Sequence, residues 1–147
     1  MKLVIQRVTS ASLEVDRTTV SSIGDGLLVL VGLEKNDGEE QLKRAAAKTA
    51  TLRAFEDAEG KINRDVTEIG GSILAVSQFT IAGSIRKGRR PSFDRAMPGD
   101  DAEPLFDRFV ELLRGHGVAV ETGVFGAYMN IRLVNSGPIT LLWSDPD

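Results

Sequence analysis

Cysteine is absent from the 147 residues, and histidine occurs once, as His116. These shortages exclude disulfides, thiolate nucleophiles, Cys-based zinc sites and any His-rich metal cluster, and the lack of cysteine fits a reducing cytosol. Long apolar runs are missing too. The opening KLVIQRV is interrupted by Arg7 before it reaches the length of a signal h-region or a spanning helix, so a cytoplasmic protein without a membrane partner is expected. Nor is there an excess of charge. Eighteen basic against 21 acidic side chains give a formal net charge of −3, which exerts no global pull on nucleic acid or anionic lipid. Any RNA contact must therefore be local. No P-loop or GxGxxG is present, because GDG and GGS lack the spacing.

What is present suits one domain spanning 1–147. A 41% hydrophobic content with 27% charged residues is that of a globular protein able to bury its own core. Lys2 to Val8, Ala11 to Val15 and Thr18 to Ile23 have the composition of short strands, and the continuous apolar run Gly26 to Leu33 that of a buried one. Asp37 precedes Glu39 and Glu40, and Leu42, Ala45, Ala46, Thr49 and Leu52 follow at helical spacing, which predicts a helix to about Arg53. EDAEGKIN has loop composition, and GGSILAVSQFT from Gly70 is a strong buried strand with a polar end.

A second helix is expected from about Asp101 to His116, with Pro104 in its first turn and Gly115 and Gly117 as stops. VAVET, MNIRLVN and ITLLW complete the strands. The order ββββ-α-β-loop-α-βββ reads as α+β with a largely antiparallel sheet and two main helices. The acidic tail SDPD is expected to fray.

Few residues offer chemistry. His116, at the end of the second helix, fits an exposed partner of the helix dipole better than a general base. The carboxylates show no spaced acid and base pair. Three stretches remain. SQFT, Ser77 to Thr80, is either a strand edge or a group of hydroxyl and backbone donors able to polarise a carbonyl; a threonine without a base is a poor nucleophile. SIRKGRRPSF concentrates Arg86, Lys87, Arg89 and Arg90 ahead of Phe93, either as a solvated loop or as a seat for phosphates and a base. NSGPIT, Asn135 to Thr140, is either a turn between two strands or a rigid functional loop; it lacks the Asn-Gly or Asp-Gly of a tight hairpin.

Taken together, SQFT, RPSF and NSGPIT, with QRV at Gln6 to Val8, DAEGK at Asp57 to Lys61 and TGVFGAYM before the last strands, resemble the D-aminoacyl-tRNA deacylases over nearly the whole chain. Ile81 and Ile139 stand where other apolar residues are common. The resemblance implies a barrel-like, homodimeric enzyme without metal or organic cofactor. It would hydrolyse the ester between a D-amino acid, or glycine, and the terminal adenosine of tRNA, and reject L-aminoacyl-tRNA, as proofreading in translation. It also implies that Ser77, Gln78, Phe79 and Thr80 line the catalytic pocket and that Gly137 and Pro138, joined by a cis bond, reach into the partner's site braced by Arg7. Phe125 and Met129 would touch the adenosine, and Arg86, Lys87, Arg89 and Arg90 the tRNA phosphates, with no DNA partner.

Two rivals stand beside this: a non-catalytic RNA-binding module built on the basic run, and a hydrolase of free small molecules.

Overall fold

The computed structural model describes residues 1–145. The chain runs β1 (Lys2–Val15), β2 (Thr18–Ile23), β3 (Gly26–Gly32), α1 (Glu39–Ala50), β4 (Phe55–Glu56), β5 (Ile62–Arg64), β6 (Ser72–Ser77), a 3-10 turn (Phe79–Ala82), α2 (Gly99–Gly115), β7 (Ala119–Thr122) and β8 (Asn130–Ser144). The α+β class and the two helices are as expected. The two N-terminal strands, however, are one. Asp16 and Arg17 turn β1 into β2 with φ of 49° and 64°, a left-handed pair of the kind that matches hairpin twist, here made without glycine.

β1 is the spine. One edge pairs antiparallel with β3 (Leu3↔Val31) and then with β2 (Leu13↔Ser21), which return along it as one path. The other edge pairs antiparallel with β8 from Lys2↔Ser144 to Glu14↔Asn130. The remaining pairings, β3 with β6 and β6 with β7, are parallel. The sheet is thus antiparallel around β1 and parallel beyond β3, because each of those two connections carries a helix that returns the chain to the same end. β2 packs over β6 and β7, so the sheet curls into a nearly closed, barrel-like form.

Two clusters of apolar side chains fill the two faces of this curl. Leu27, Val29, Val31, Ile73 and Ala75 meet Leu42, Ala46, Phe109 and Leu113 of the helices. The alternate residues Leu28, Leu74 and Val76 face inward with Val8, Ala11 and Leu13, as strand periodicity requires. β1 changes face on the way: Leu3 and Ile5 belong to the helix side, whereas Ala11 and Leu13, of the same parity, belong to the interior with Val8. The change falls between Val8 and Ser10, where Thr9 is an extra residue against β8, since a bulge alters which side chains point to which face.

The helix limits also differ from expectation. α1 begins after Gly38, whose N–H donates to Gln41 Oε1 at 3.1 Å. Asp37 does not cap it; its carboxylate accepts from the terminal ammonium of Met1 and from the Glu34 N–H, both at 2.6 Å. The helix closes at Ala50, where the Thr51 hydroxyl donates back to the Ala47 carbonyl at 2.7 Å. α2 starts at Gly99, so Pro104 lies beyond the first turn. The EDAEGKIN segment holds the small β4–β5 hairpin, closed by Asp57, whose carboxylate accepts from the N–H groups of Glu59 and Lys61. Asp145 does not fray: its N–H donates to the Met1 carbonyl and its carboxylate pairs with Arg44. The rest of the SDPD tail, residues 146 and 147, lies outside the described residues.

Candidate active site

β6 delivers SQFT to its place. Its last residue, Ser77, pairs with Val31, and the Gln78 N–H donates to the Val31 carbonyl at 2.8 Å. The chain then winds into the 3-10 turn Phe79–Ala82, so SQFT is a strand end followed by a tight helical turn and not the continuous strand expected. The Ile81 N–H returns to the Gln78 carbonyl at 3.2 Å and the Gly83 N–H to the Thr80 carbonyl at 3.0 Å. The N–H groups of Phe79 and Thr80 open this turn and have no acceptor within it, as at any helix start. Gln78 Nε2 donates to the Thr80 hydroxyl at 3.0 Å.

Opposite stands the segment that leads into β8. Val124 and Ala127 close a turn, with the Ala127 N–H donating to the Val124 carbonyl at 3.2 Å. Phe125, Tyr128 and Met129 project from it across a cleft of about 640 Å³, whose other wall is Ser77, Gln78, Phe79 and Thr80. Leu33 and Ile131 also line it, as do Gly99 and Ala102 at the start of α2. The walls are mostly apolar with a few convergent polar groups, the usual make-up of a small-ligand site. Another hollow, of about 400 Å³, lies near the chain start between Glu34, Asp37 and Arg95. Its acidic groups are engaged by the Met1 ammonium, Lys2 and Arg95, so the larger cleft is the better candidate.

The structure therefore brings Ser77, Gln78, Phe79, Thr80, Phe125 and Met129 to one cleft. The basic run does not line it. Arg86, Lys87, Arg89 and Arg90 are exposed on a loop closed by Ser84 and Ser92, whose backbones exchange hydrogen bonds of 2.8 and 2.9 Å. That closure leads into Phe93, whose ring meets Phe79 edge-on, centroids 5.2 Å apart. Gly83 makes the contact possible, because a methyl there would lie 2.8 Å from both the Phe93 ring and the Thr80 carbonyl. His116 is exposed at the end of α2, away from the cleft.

NSGPIT is not a hairpin turn. MNIRLV and ITLLW do not pair with each other; they are two halves of β8, both running against β1. Gln6 pairs with Thr140 and Val8 with Asn135, so Ser136 to Ile139 bulge out opposite Arg7 alone. The bulge is bonded across its base, where Asn135 receives the Ile139 N–H at 3.2 Å on Oδ1 and donates from Nδ2 to the Thr140 hydroxyl at 2.8 Å. Arg7 Nε donates to the Ser136 carbonyl at 3.1 Å and Nη1 to the Ala54 carbonyl at 2.9 Å. The Gly137–Pro138 bond is cis, and both residues are exposed. Neither lines the cleft of its own chain.

The family model described as D-Tyr-tRNA(Tyr) deacylase matches residues 4–144. The chain belongs to that family. A D-aminoacyl-tRNA deacylase of Geobacter sulfurreducens is 56% identical over 97% of this chain and 93% of its own, and one of Thermomicrobium roseum 54% identical over 99% and 94%. Among solved structures, a c-Myc DNA unwinding element binding protein superposes with a TM-score of 0.94 at 39% identity over the whole of both chains. A probable eukaryotic D-amino acid tRNA deacylase shares the fold, with a TM-score of 0.81 at 22% identity over 97% of each chain.

Tyr128, within TGVFGAYM, lines the cleft without having been assigned to it, and so do Leu33, Gly99, Ala102 and Ile131. The last four are small or apolar and carry no local signal of a site, and only the fold assembles them. Among the described residues no three His, Cys, Asp or Glu side chains cluster to hold a metal ion, and no helix is long and apolar enough to cross a membrane.

Proposed function

We propose that this chain hydrolyses the ester of D-aminoacyl-tRNA, releasing free D-amino acid and tRNA as a cytoplasmic proofreading step in translation. The observation that carries the reading is the cleft in which Ser77–Thr80 faces Phe125 and Met129, in a chain of the deacylase family. In this reading the aminoacyl group lies against Ser77–Thr80 and the terminal adenosine against Phe125 and Met129.

Ester hydrolysis needs a placed water and a stabilised oxyanion. The opening N–H groups of Phe79 and Thr80 supply fixed donors for the oxyanion. The ribose hydroxyl beside the ester helps to place the water, and holding these groups together lowers the barrier without a strong protein base. Thr80, bonded to Gln78 and without a neighbouring base, orients and does not attack.

Selection for the D form is assigned to Gly137 and Pro138, reaching from a second copy into this cleft. Two observations support that assignment: the pair is exposed on a braced bulge, and it is absent from the cleft of its own chain. A backbone wall reads the space around Cα and not the side chain. An L side chain forced against it costs about 1–3 kcal/mol per methyl, whereas glycine passes. The protein thus acts as a homodimer and also cleaves glycyl-tRNA. The basic loop holds tRNA phosphates.

The test is release of D-tyrosine from charged tRNA beside the L form. Cleavage of the D form alone is expected. Equal cleavage of both would sink the wall, and cleavage of neither would leave a non-catalytic RNA-binding module.

A further inference from the structure

Aromatic residues make up 5% of the chain, and among the described residues two are largely exposed, Phe79 at 56% and Tyr128 at 87%, with Phe93 partly so at 37%. Phe79 and Tyr128 line one cleft, and Phe93 backs it through its contact with Phe79. Phe79 and Phe93 cover each other in an edge-on pair. Tyr128 has no aromatic partner. An exposed ring adds little to stability, and rings gathered on one rim mark a surface for a ligand.

Its place on the rim is specific. Phe125 and Met129 flank Tyr128 in the same segment and line the same cleft, on the side that the proposed function gives to the terminal adenosine. Phe79 and Phe93 stand on the aminoacyl side. A volume of about 640 Å³ lies in the range that encloses one drug-sized ligand, here the aminoacyl group with its adenosine. The preceding nucleotide must therefore leave over the rim, on the adenosine side. The turn at Val124–Ala127, with Gly126 at φ 74°, fixes where the ring stands.

We propose that Tyr128 is the platform on which the base before the terminal adenosine stacks, so that the enzyme selects an RNA end over a smaller aminoacyl ester. The inference rests on the deacylase reading above. Stacking uses the flat face of the ring, tolerates any base, and needs no hydroxyl.

Three substrates test it: D-tyrosyl-tRNA, the D-tyrosyl ester of the dinucleotide CpA, and the D-tyrosyl ester of adenosine. Tyr128→Ala should raise KM about tenfold for the first two, in keeping with the loss of one stacked base. KM for the adenosine ester should rise far less, because Tyr128 only borders the cleft that holds the adenosine, so the preference for the CpA ester over the adenosine ester should fall several-fold. Tyr128→Phe should behave as wild type. An exposed side chain puts the fold at little risk, and an unchanged melting curve checks this. Unchanged KM for tRNA overturns the proposal. So does an equal rise with the adenosine ester, which would place the ring on the adenosine itself, and so does a rise confined to tRNA, which would place it on a more distant nucleotide. A wild-type protein inactive on all three overturns the deacylase reading, and the platform with it.

Discussion

Arg7 and Gly137 leave each other no spare room: a methyl group on Gly137 would lie 2.9 Å from Arg7 Nη2. The guanidinium cannot easily yield, because it is bonded to the carbonyls of Ser136 and Ala54. Gly137 also has φ of 118°, where an L side chain is strained. Gly137→Ala should therefore displace the bulge, lower deacylation at least tenfold by the positioning argument, and lower the melting temperature as well, because the strained backbone costs about 1 kcal/mol or more. Turnover and a melting curve on the same sample check this; full activity would show that the bulge does not shape the site.

Arg7→Met should act on the same bulge from the other side. It keeps much of the packing and loses both charged hydrogen bonds, at a cost of about 1–3 kcal/mol. Arg7→Lys should recover only part, since a single ammonium lacks the fork that spans two carbonyls. Denaturant unfolding measures the first effect and turnover the second.

Thr80→Ala should stay within about tenfold of wild-type turnover, because an orienting hydroxyl contributes one hydrogen bond. Single-turnover rates on D-tyrosyl-tRNA decide the matter. A loss to the level of no enzyme, with the fold intact, would make Thr80 the nucleophile.

If Gly137 and Pro138 complete the partner's cleft, two inactive variants should rescue each other. A variant damaged in Ser77–Thr80, mixed under subunit exchange with one damaged at Gly137 and Pro138, gives dimers with one wild-type site and one doubly damaged site. With about half the dimers mixed, activity should approach about a quarter of the wild-type value by two-fold symmetry. No recovery despite proven exchange would refute the composite site.

The two helices are tied by Glu39, which accepts from Arg108 Nη2 at 2.8 Å. The Arg108 hydrogen bond holds the Glu39 carboxyl below its ordinary pKa. A carboxyl depressed in the folded state stabilises above its unfolded pKa and loses that contribution as pH falls through the folded value. The advantage of wild type over Glu39→Gln in melting temperature should thus be present at neutral pH and vanish below the ordinary glutamate range. It should be small, since both side chains are solvated. Melting curves from pH 3 to 7 measure it.

The helices and the buried strands were legible because their signals are local. The long strands were not. β1 reads as two strands because its alternation breaks at Thr9 and Ser10, and β8 because Gly137 and Pro138 look like punctuation. Only pairing with a strand far along the chain shows that each continues. The cleft divides in the same way. Ser77–Thr80, Phe125 and Met129 stand in motifs, whereas Leu33, Gly99 and Ala102 are ordinary residues until the fold sets them beside one another.

The spine of the sheet carries a consequence for synthesis. Gln6 and Thr140 pair across 134 residues, so one edge of β1 waits, unpaired, until β8 has been made. An exposed strand edge invites the wrong neighbour. In the interval Arg7 faces that edge, and a positive charge on a waiting edge discourages pairing with another nascent chain. The arginine that later grips the bulge is thus placed to act first as a guard.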